Sequence, residues 1–238
     1  MKIAILTTET VHHLFYVREL SAFIDNVLVI AESRSVGTSQ PLHSFEIDRD
    51  IFERQIWFDG GKVVLEDFAN TFRCEDVNDE KAVTALQNFQ PDLIIVFGTG
   101  LIQEYLIHAY SGRIFNLHGG NPEYYRGLDS HLWAIKNRDW ANLATCIHQV
   151  DAELDTGDIV QLLPLPLDKV SSLEQLRSVN TDVCISLSRN LLEMFQSGTL
   201  KTYAQSTRGN YYSTFPNKMK DECINIFAKH IQELAFEA

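Results

Sequence analysis

Four short apolar runs, residues 3–6, 27–31, 93–97 and 114–117, alternate with longer stretches whose apolar residues recur three and four positions apart. A brief run rich in Ile, Val and Leu reads as a strand buried on both faces. The spacing within residues 11–24, 44–58, 78–89 and 101–110 reads as amphipathic helix. This alternation predicts an α/β fold, a Rossmann-like, mostly parallel sheet with helices on both faces. Ligands of such sheets sit beyond the C-terminal ends of the strands. The loops leaving these runs are therefore where chemistry is expected.

Further along, Leu128, His131, Leu132 and Ile135 keep helical spacing. Residues 143–150 and 159–165 read as two more strands, with an acidic loop over 151–158 between them. A long helix is expected over 172–196, with Ser171 and Glu174 forming a capping box and Gly198 just past its end. In the tail, Tyr203, Tyr211, Tyr212 and Phe215 flank Arg208-Gly209-Asn210, which reads as a hairpin with a Gly-Asn turn. The expected organisation is a catalytic domain over residues 1–200 with a small C-terminal hairpin/helix appendage over 201–238.

A chain of 238 residues that is 45% hydrophobic can bury a full core. Its 32 acidic residues against 20 basic ones give a net charge of -12, a field that repels a nucleic-acid backbone but spares a small anion met by a few cations in one cleft. Cys74, Cys146, Cys184 and Cys223 lie far apart, without the paired spacing that zinc or a redox dithiol requires. His12 and His13 are adjacent, and neighbours on a helix point about 100° apart, so the two rings read as polar groups on the surface and no metal is expected. The first apolar run is too short for a signal peptide, and no stretch approaches the roughly 20 apolar residues of a membrane span. The expected location is cytoplasmic.

Strand alternation turns Asn116 and His118 to one side, with Ile114 behind them and Phe115 and Leu117 in the opposite layer. An amide and an imidazole sharing one small space suit a developing oxyanion, which needs a neutral donor and a proton that moves near neutral pH. Taken singly, Asn116 could satisfy a strand end, His118 could be a hydrogen-bonded core histidine, and Asp155 in Asp-Thr-Gly could make a turn. Their ordered combination points to catalysis. His131 and His148 read as core histidines, Arg126 as a tie within the Tyr-Arg-Gly loop, and Tyr124, Tyr125 and Trp133 as structural aromatics. Gly98-Thr99-Gly100 lacks the third glycine of a dinucleotide fingerprint, which argues against NAD.

The run Phe115-Asn116-Leu117-His118-Gly119-Gly120, then Tyr125-Arg126-Gly127, then Thr145-Cys146-Ile147-His148-Gln149-Val150-Asp151, then Leu154-Asp155-Thr156-Gly157-Asp158-Ile159 resembles the formyltransferases that use N10-formyltetrahydrofolate. That family includes glycinamide ribonucleotide, methionyl-tRNA and sugar-nucleotide formyltransferases. The resemblance is strongest over residues 90–162, and Gly119 stands where the family usually has proline. It implies Asn116 as hydrogen-bond donor to the formyl oxygen, His118 as oxyanion stabiliser and proton-transfer group, and Asp155 as the carboxylate orienting His118 or a bridging water. It also implies that the folate donor is held by Phe97, Gly98, Thr99, Gly100 and Leu101 on one side, with Asp151, Leu154 and Asp158 on the other. Glycines at 98 and 100 let backbone approach a ligand closely.

For the acceptor, the reading favours a nucleotide-linked amino sugar of surface-polysaccharide biosynthesis. The chain is acidic, lacks the further domain of the tRNA-type members, and has an aromatic tail able to pair with a second copy as a homodimer. Glycinamide ribonucleotide is the next acceptor and methionyl-tRNA the third. A folate- or sugar-nucleotide-binding protein without turnover, and a hydrolase releasing formate, are the readings from other classes.

Overall fold

All four apolar runs are strands, and they lie side by side. The computed structural model describes residues 1–33 and 41–237. Strands β1 (Lys2–Thr7), β2 (Asn26–Glu32), β3 (Asn70–Cys74), β4 (Leu93–Phe97) and β5 (Ile114–His118) run parallel, and β7 (Ala144–Gln149) and β8 (Ile159–Pro164) continue the sheet antiparallel. The order across the sheet is β3-β2-β1-β4-β5-β7-β8. Strand order reverses between β1 and β4, so the loops leaving those two strands diverge and open a crevice at their C-terminal ends.

The side chains alternate as the period of two requires. Ile3, Ile5, Leu93, Ile95, Phe115 and Leu117 enter one core with helices α1 (Val11–Ser21) and α6 (Leu176–Gln196). Ala4, Leu6, Ile94, Val96 and Ile114 enter the other, beneath α3 (Glu80–Phe89) and α4 (Glu104–Ala109). Fully burying one such large side chain stabilises by about 1.5–3 kcal/mol, so both faces hold the sheet. Among the described residues, no helix is long and apolar enough to cross a membrane.

Several elements differ from expectation, each for a local reason. Strand β3, Asn-Thr-Phe-Arg-Cys, gives no apolar signal because it is a half-exposed edge strand. Helix α4 starts at Glu104 rather than 101 because side chains fix the preceding loop. Gly100 N–H donates to Glu32 Oε2 (2.9 Å), and Asn78 Nδ2 donates to the Leu101 carbonyl (2.9 Å). The expected capping box of Ser171 and Glu174 is not made. Ser172 holds the extended cap conformation ahead of a 3-10 turn, so Gln175 reaches back instead and accepts from Ser171 N at 2.9 Å and Oγ at 3.0 Å.

The tail hairpin is also absent. Strand β9 (Asn210–Tyr212) pairs parallel with β6 (Tyr125–Gly127), with Arg126 opposite Tyr211. The tail then enters helix α7 (Lys220–Glu237), which packs on α5 (Ser130–Lys136), and places Phe215, Cys223 and Phe227, all fully buried, in the main core.

Candidate active site

Strand β5 carries Asn116 and His118 to its C-terminal end on one face, and the 151–158 loop folds back over them. That fold needs glycine at 157, where a Cβ would stand 1.8 Å from the Gln149 carbonyl oxygen. It also holds Asp155 at φ +54, the left-handed region that side chains rarely adopt. The result is a buried carboxylate, 5% exposed, set against two strands.

Each oxygen of Asp155 has its own partners. Oδ2 accepts the Gly127 N–H at 2.8 Å and lies 3.5 Å from His118 Nδ1. Oδ1 accepts from Asn116 Nδ2 at 3.3 Å and lies 3.4 Å from His148 Nε2. Burial pushes this carboxyl up, but the charge of His118, the hydrogen bond and charge of His148, and the Gly127 N–H outweigh it and hold Asp155 well below the usual carboxylate range.

Backbone carbonyls set the histidine tautomers, because a carbonyl only accepts. His118 Nε2 donates to the Tyr125 oxygen at 2.8 Å, which leaves Nδ1 as the nitrogen facing Asp155. His148 Nδ1 donates to the Gln149 oxygen at 2.7 Å, and its Nε2 lies 3.3 Å from Asn116 Nδ2. The imidazole–carboxylate separations exceed a normal hydrogen bond of about 2.7–3.2 Å.

His148, read from sequence as a core histidine, is buried and hydrogen-bonded as expected, and it also faces Asp155 and Asn116. It is the register partner of Asn116 across the antiparallel β5–β7 pair, as Cys146 is of His118. Only that register reveals it, and nothing local in the sequence fixes the register. His131 is half-buried and satisfied by the Ala144 carbonyl at 2.7 Å. Arg126, expected to tie its loop, is buried, and its Nε and Nη1 make no hydrogen bond.

A cleft of about 1030 Å3 runs from Asn116, His118 and Asp155 along the ends of the strands. Phe97, Gly98, Thr99, Gly100 and Leu101 form one wall, and Asp151 and Leu154 another. Asp158 does not line it. The Asp158 carbonyl accepts the Gln149 N–H at 2.9 Å, and its carboxylate faces Thr202 Oγ1 at 3.5 Å.

His12 and His13 do not stand in open solvent: His12 is half-buried and His13 buried. His13 is 4% exposed beneath Gly98, whose φ is +81 and where a Cβ would meet the His13 ring at 2.5 Å. Thr8 and Thr10 hydroxyls hold His13 Nδ1 at 2.8 and 3.0 Å, and Phe97 packs edge-on at 4.5 Å between ring centres. Desolvation, then the charge of Arg177, pushes its pKa down to about 3. Adjacent helical positions diverge in direction, yet the first turn of α1 sits at the mouth of the crevice, so both rings meet protein. Arg49 and Arg177 reach the same cleft, Arg177 bonding to Glu53 Oε1 through Nε at 2.7 Å. Among the described residues, no group of three or more His, Cys, Asp or Glu is arranged to hold a metal ion.

Comparison with known proteins gives the same picture. Methionyl-tRNA formyltransferase of Finegoldia magna is 30% identical over 103 residues, 43% of this chain and 33% of that protein. The chain spans about a third to a half of the length of the curated relatives it matches. The formyltransferase PseJ from Anoxybacillus kamchatkensis, solved with UDP-4,6-dideoxy-4-formamido-L-AltNAc and tetrahydrofolate, superposes with a TM-score of 0.53 at 18% identity, covering 92% of this chain and 88% of that one. The N-formyltransferase from Helicobacter canadensis, solved with folinic acid and dTDP-3-aminofucose, gives 0.56 at 13% identity, covering 90% and 71%. At these identities the likeness is one of fold. The formyl transferase family model, however, matches residues 1–183, most of the chain, and the protein belongs to that family.

Proposed function

We propose that this protein transfers the formyl group of N10-formyltetrahydrofolate to the amino group of a nucleotide-linked amino sugar. The observation that carries the reading is the convergence of Asn116 and His118 from strand β5 with Asp155 from the 151–158 loop at one end of a single cleft. Overall, one N–C bond forms and one breaks, and a proton passes from the acceptor nitrogen to N10 of the folate.

Both hydrogen bonds of Asn116 Nδ2 are long, 3.3 Å, so exchanging one for a negatively charged oxygen costs little and gains a charge-assisted bond. His118 Nδ1 takes the proton of the acceptor amine. Its Nε2–H, held by the Tyr125 carbonyl, fixes the ring, and Asp155 stabilises the imidazolium so formed. Residues 97–101 offer backbone donors and acceptors next to the apolar Val96, Phe97 and Leu154, a surface suited to a flat heteroaromatic ring with polar edges. The donor would be held there and bring an activated one-carbon group.

Two facts support an amino sugar as acceptor: the net charge of -12 opposes a polynucleotide, and two solved structures of the same fold carry a formamido-sugar nucleotide and an amino-sugar nucleotide. The four cysteines are all unpaired, in keeping with a reducing cytoplasm. The aromatic tail, with Tyr203 and Tyr211 about half exposed, supports a homodimer, which size-exclusion chromatography tests. The decisive assay incubates the protein with formyl donor and a panel of 3- and 4-amino-sugar nucleotides beside glycinamide ribonucleotide, reading N-formyl products by mass spectrometry. Formylation of at least one amino-sugar nucleotide is expected. Formylation of glycinamide ribonucleotide alone would overturn the choice of acceptor, and formate release without an amine would reveal a hydrolase.

A further inference from the structure

Residues 203–212 cross the 151–158 loop as a strap. Tyr203 and Ile159 exchange backbone hydrogen bonds of 2.8 and 2.9 Å. Ser206 is fixed to Glu123 Oε1 through its N–H at 2.6 Å and its hydroxyl at 2.7 Å, and Thr207 Oγ1 donates to the Glu123 carbonyl at 3.0 Å. Beyond these anchors, β9 pairs with β6, the strand whose Gly127 N–H donates to Asp155 Oδ2. Between the anchors, the half-buried Gln205 donates from Nε2 to two carbonyls, those of Asp155 and Gly157, at 2.9 Å each.

Two amide hydrogens meeting two acceptors is a matched set. The flipped amide would aim its oxygen at two other oxygens, so the orientation of Gln205 is determined. The loop it holds contains a non-glycine residue at positive φ, Asp155, a conformation that persists only where surroundings enforce it. The strap has its own attachments on either side. Arg208 of the strap also pairs with Glu153 at the start of the loop, so losing Gln205 would release the backbone at Asp155 and Gly157 and leave the strap in place.

We propose that Gln205 is a positioning residue that clamps the Asp155 backbone so that its carboxylate faces His118. This rests on the role given to Asp155 above. Asp155 is faced by His118 from β5, His148 from β7 and the Gly127 N–H from β6. If the clamp is released, the negative charge beside His118 recedes and the imidazolium loses support.

The test compares the full chain with Gln205→Leu, which removes the donor, and Gln205→Glu, which turns carboxylate oxygens toward the two carbonyls. At fixed pH and without substrates, the 15N NMR signals of the His118 ring should move in both variants in the direction they move in Asp155→Asn. In turnover, kcat should drop about 10- to 100-fold, as for a small misplacement of a reacting group, with KM for the folate donor within about twofold. A merely structural role would lower the melting temperature and leave the His118 ring signals where they were. Unchanged His118 ring signals in both folded variants would overturn the clamp. An inactive wild type whose His118 ring signals still move in the variants would overturn the formyl-transfer reading and leave the clamp standing.

Discussion

Asn116 and His118 differ from Asp155 and His148 in how they come to share a site, and that difference governs how each can be tested. The first two lie on one strand and face one way by the period of two. Asn116→Ala and His118→Ala are each expected to lower kcat by roughly 100- to 1000-fold, the effect of losing about 2.7–4 kcal/mol of preorganised stabilisation, while donor binding measured by calorimetry stays near the wild-type value. Unchanged turnover in either variant would remove that side chain from the mechanism. Asp155→Asn keeps the shape of the carboxylate but cannot support the imidazolium, so it should lower kcat more than it weakens binding. His148 was not legible as a site residue. Its partner Asn116 lies 32 positions away, and only an antiparallel register that no local pattern specifies brings the two together.

Among the elements, the strands and helices buried on defined faces were legible and the connections were not. Residues 27–31 and 93–97 are apolar because helices cover both faces of the sheet, whereas β3, β6 and β9 are edges or small ribbons with polar residues and no such signature. The Gly209-Asn210 pair suggested a local turn, yet the space at Gly209 is taken by the Pro122 carbonyl, 2.4 Å from where a Cβ would sit. The glycine serves a crossing of two chain segments. The 151–158 loop depends on a similar close approach. Gly157→Ala places a methyl group against the Gln149 carbonyl and should destabilise by about 1–3 kcal/mol in urea unfolding, the usual cost of overpacking, with turnover falling further because Asp155 is displaced. A variant with wild-type stability and activity would show that the loop does not need this close approach.

For the whole molecule, histidines held away from water tie stability to pH. Burial pushes His13 down to about 3 and His131 down to about 4, so both are neutral in the folded chain at pH 5. In the unfolded chain they titrate near 6.5. The unfolded state therefore binds more protons as pH falls below about 6.5, and stability declines from there until the folded pKa values are reached, at up to about 1.4 kcal/mol per pH unit for each residue. Burial raises the carboxyls of Glu53, Asp129 and Asp182, which act in the opposite sense. The test is accordingly a difference. Between pH 7 and 5 the urea midpoint of the wild type should fall more steeply than that of a His13→Gln, His131→Gln double variant. Equal slopes would mean that these rings are protonated in the folded chain.

What the sequence determined by itself is whatever depends on short-range periodicity. The alternation of apolar runs and helical spacings required a covered parallel sheet, and the period of two placed Asn116 and His118 on one side of β5. The tertiary structure decided what depends on segments distant in the chain. It set His148 opposite Asn116, buried His13 with the half-buried His12 beside it at the crevice mouth, and laid the tail across the Asp155 loop. The physical reason is that a residue's own neighbours fix its backbone preference and facing, but pairing register, close backbone crossings and charge partners depend on which distant segments pack together, and they exist only after the chain has closed on itself.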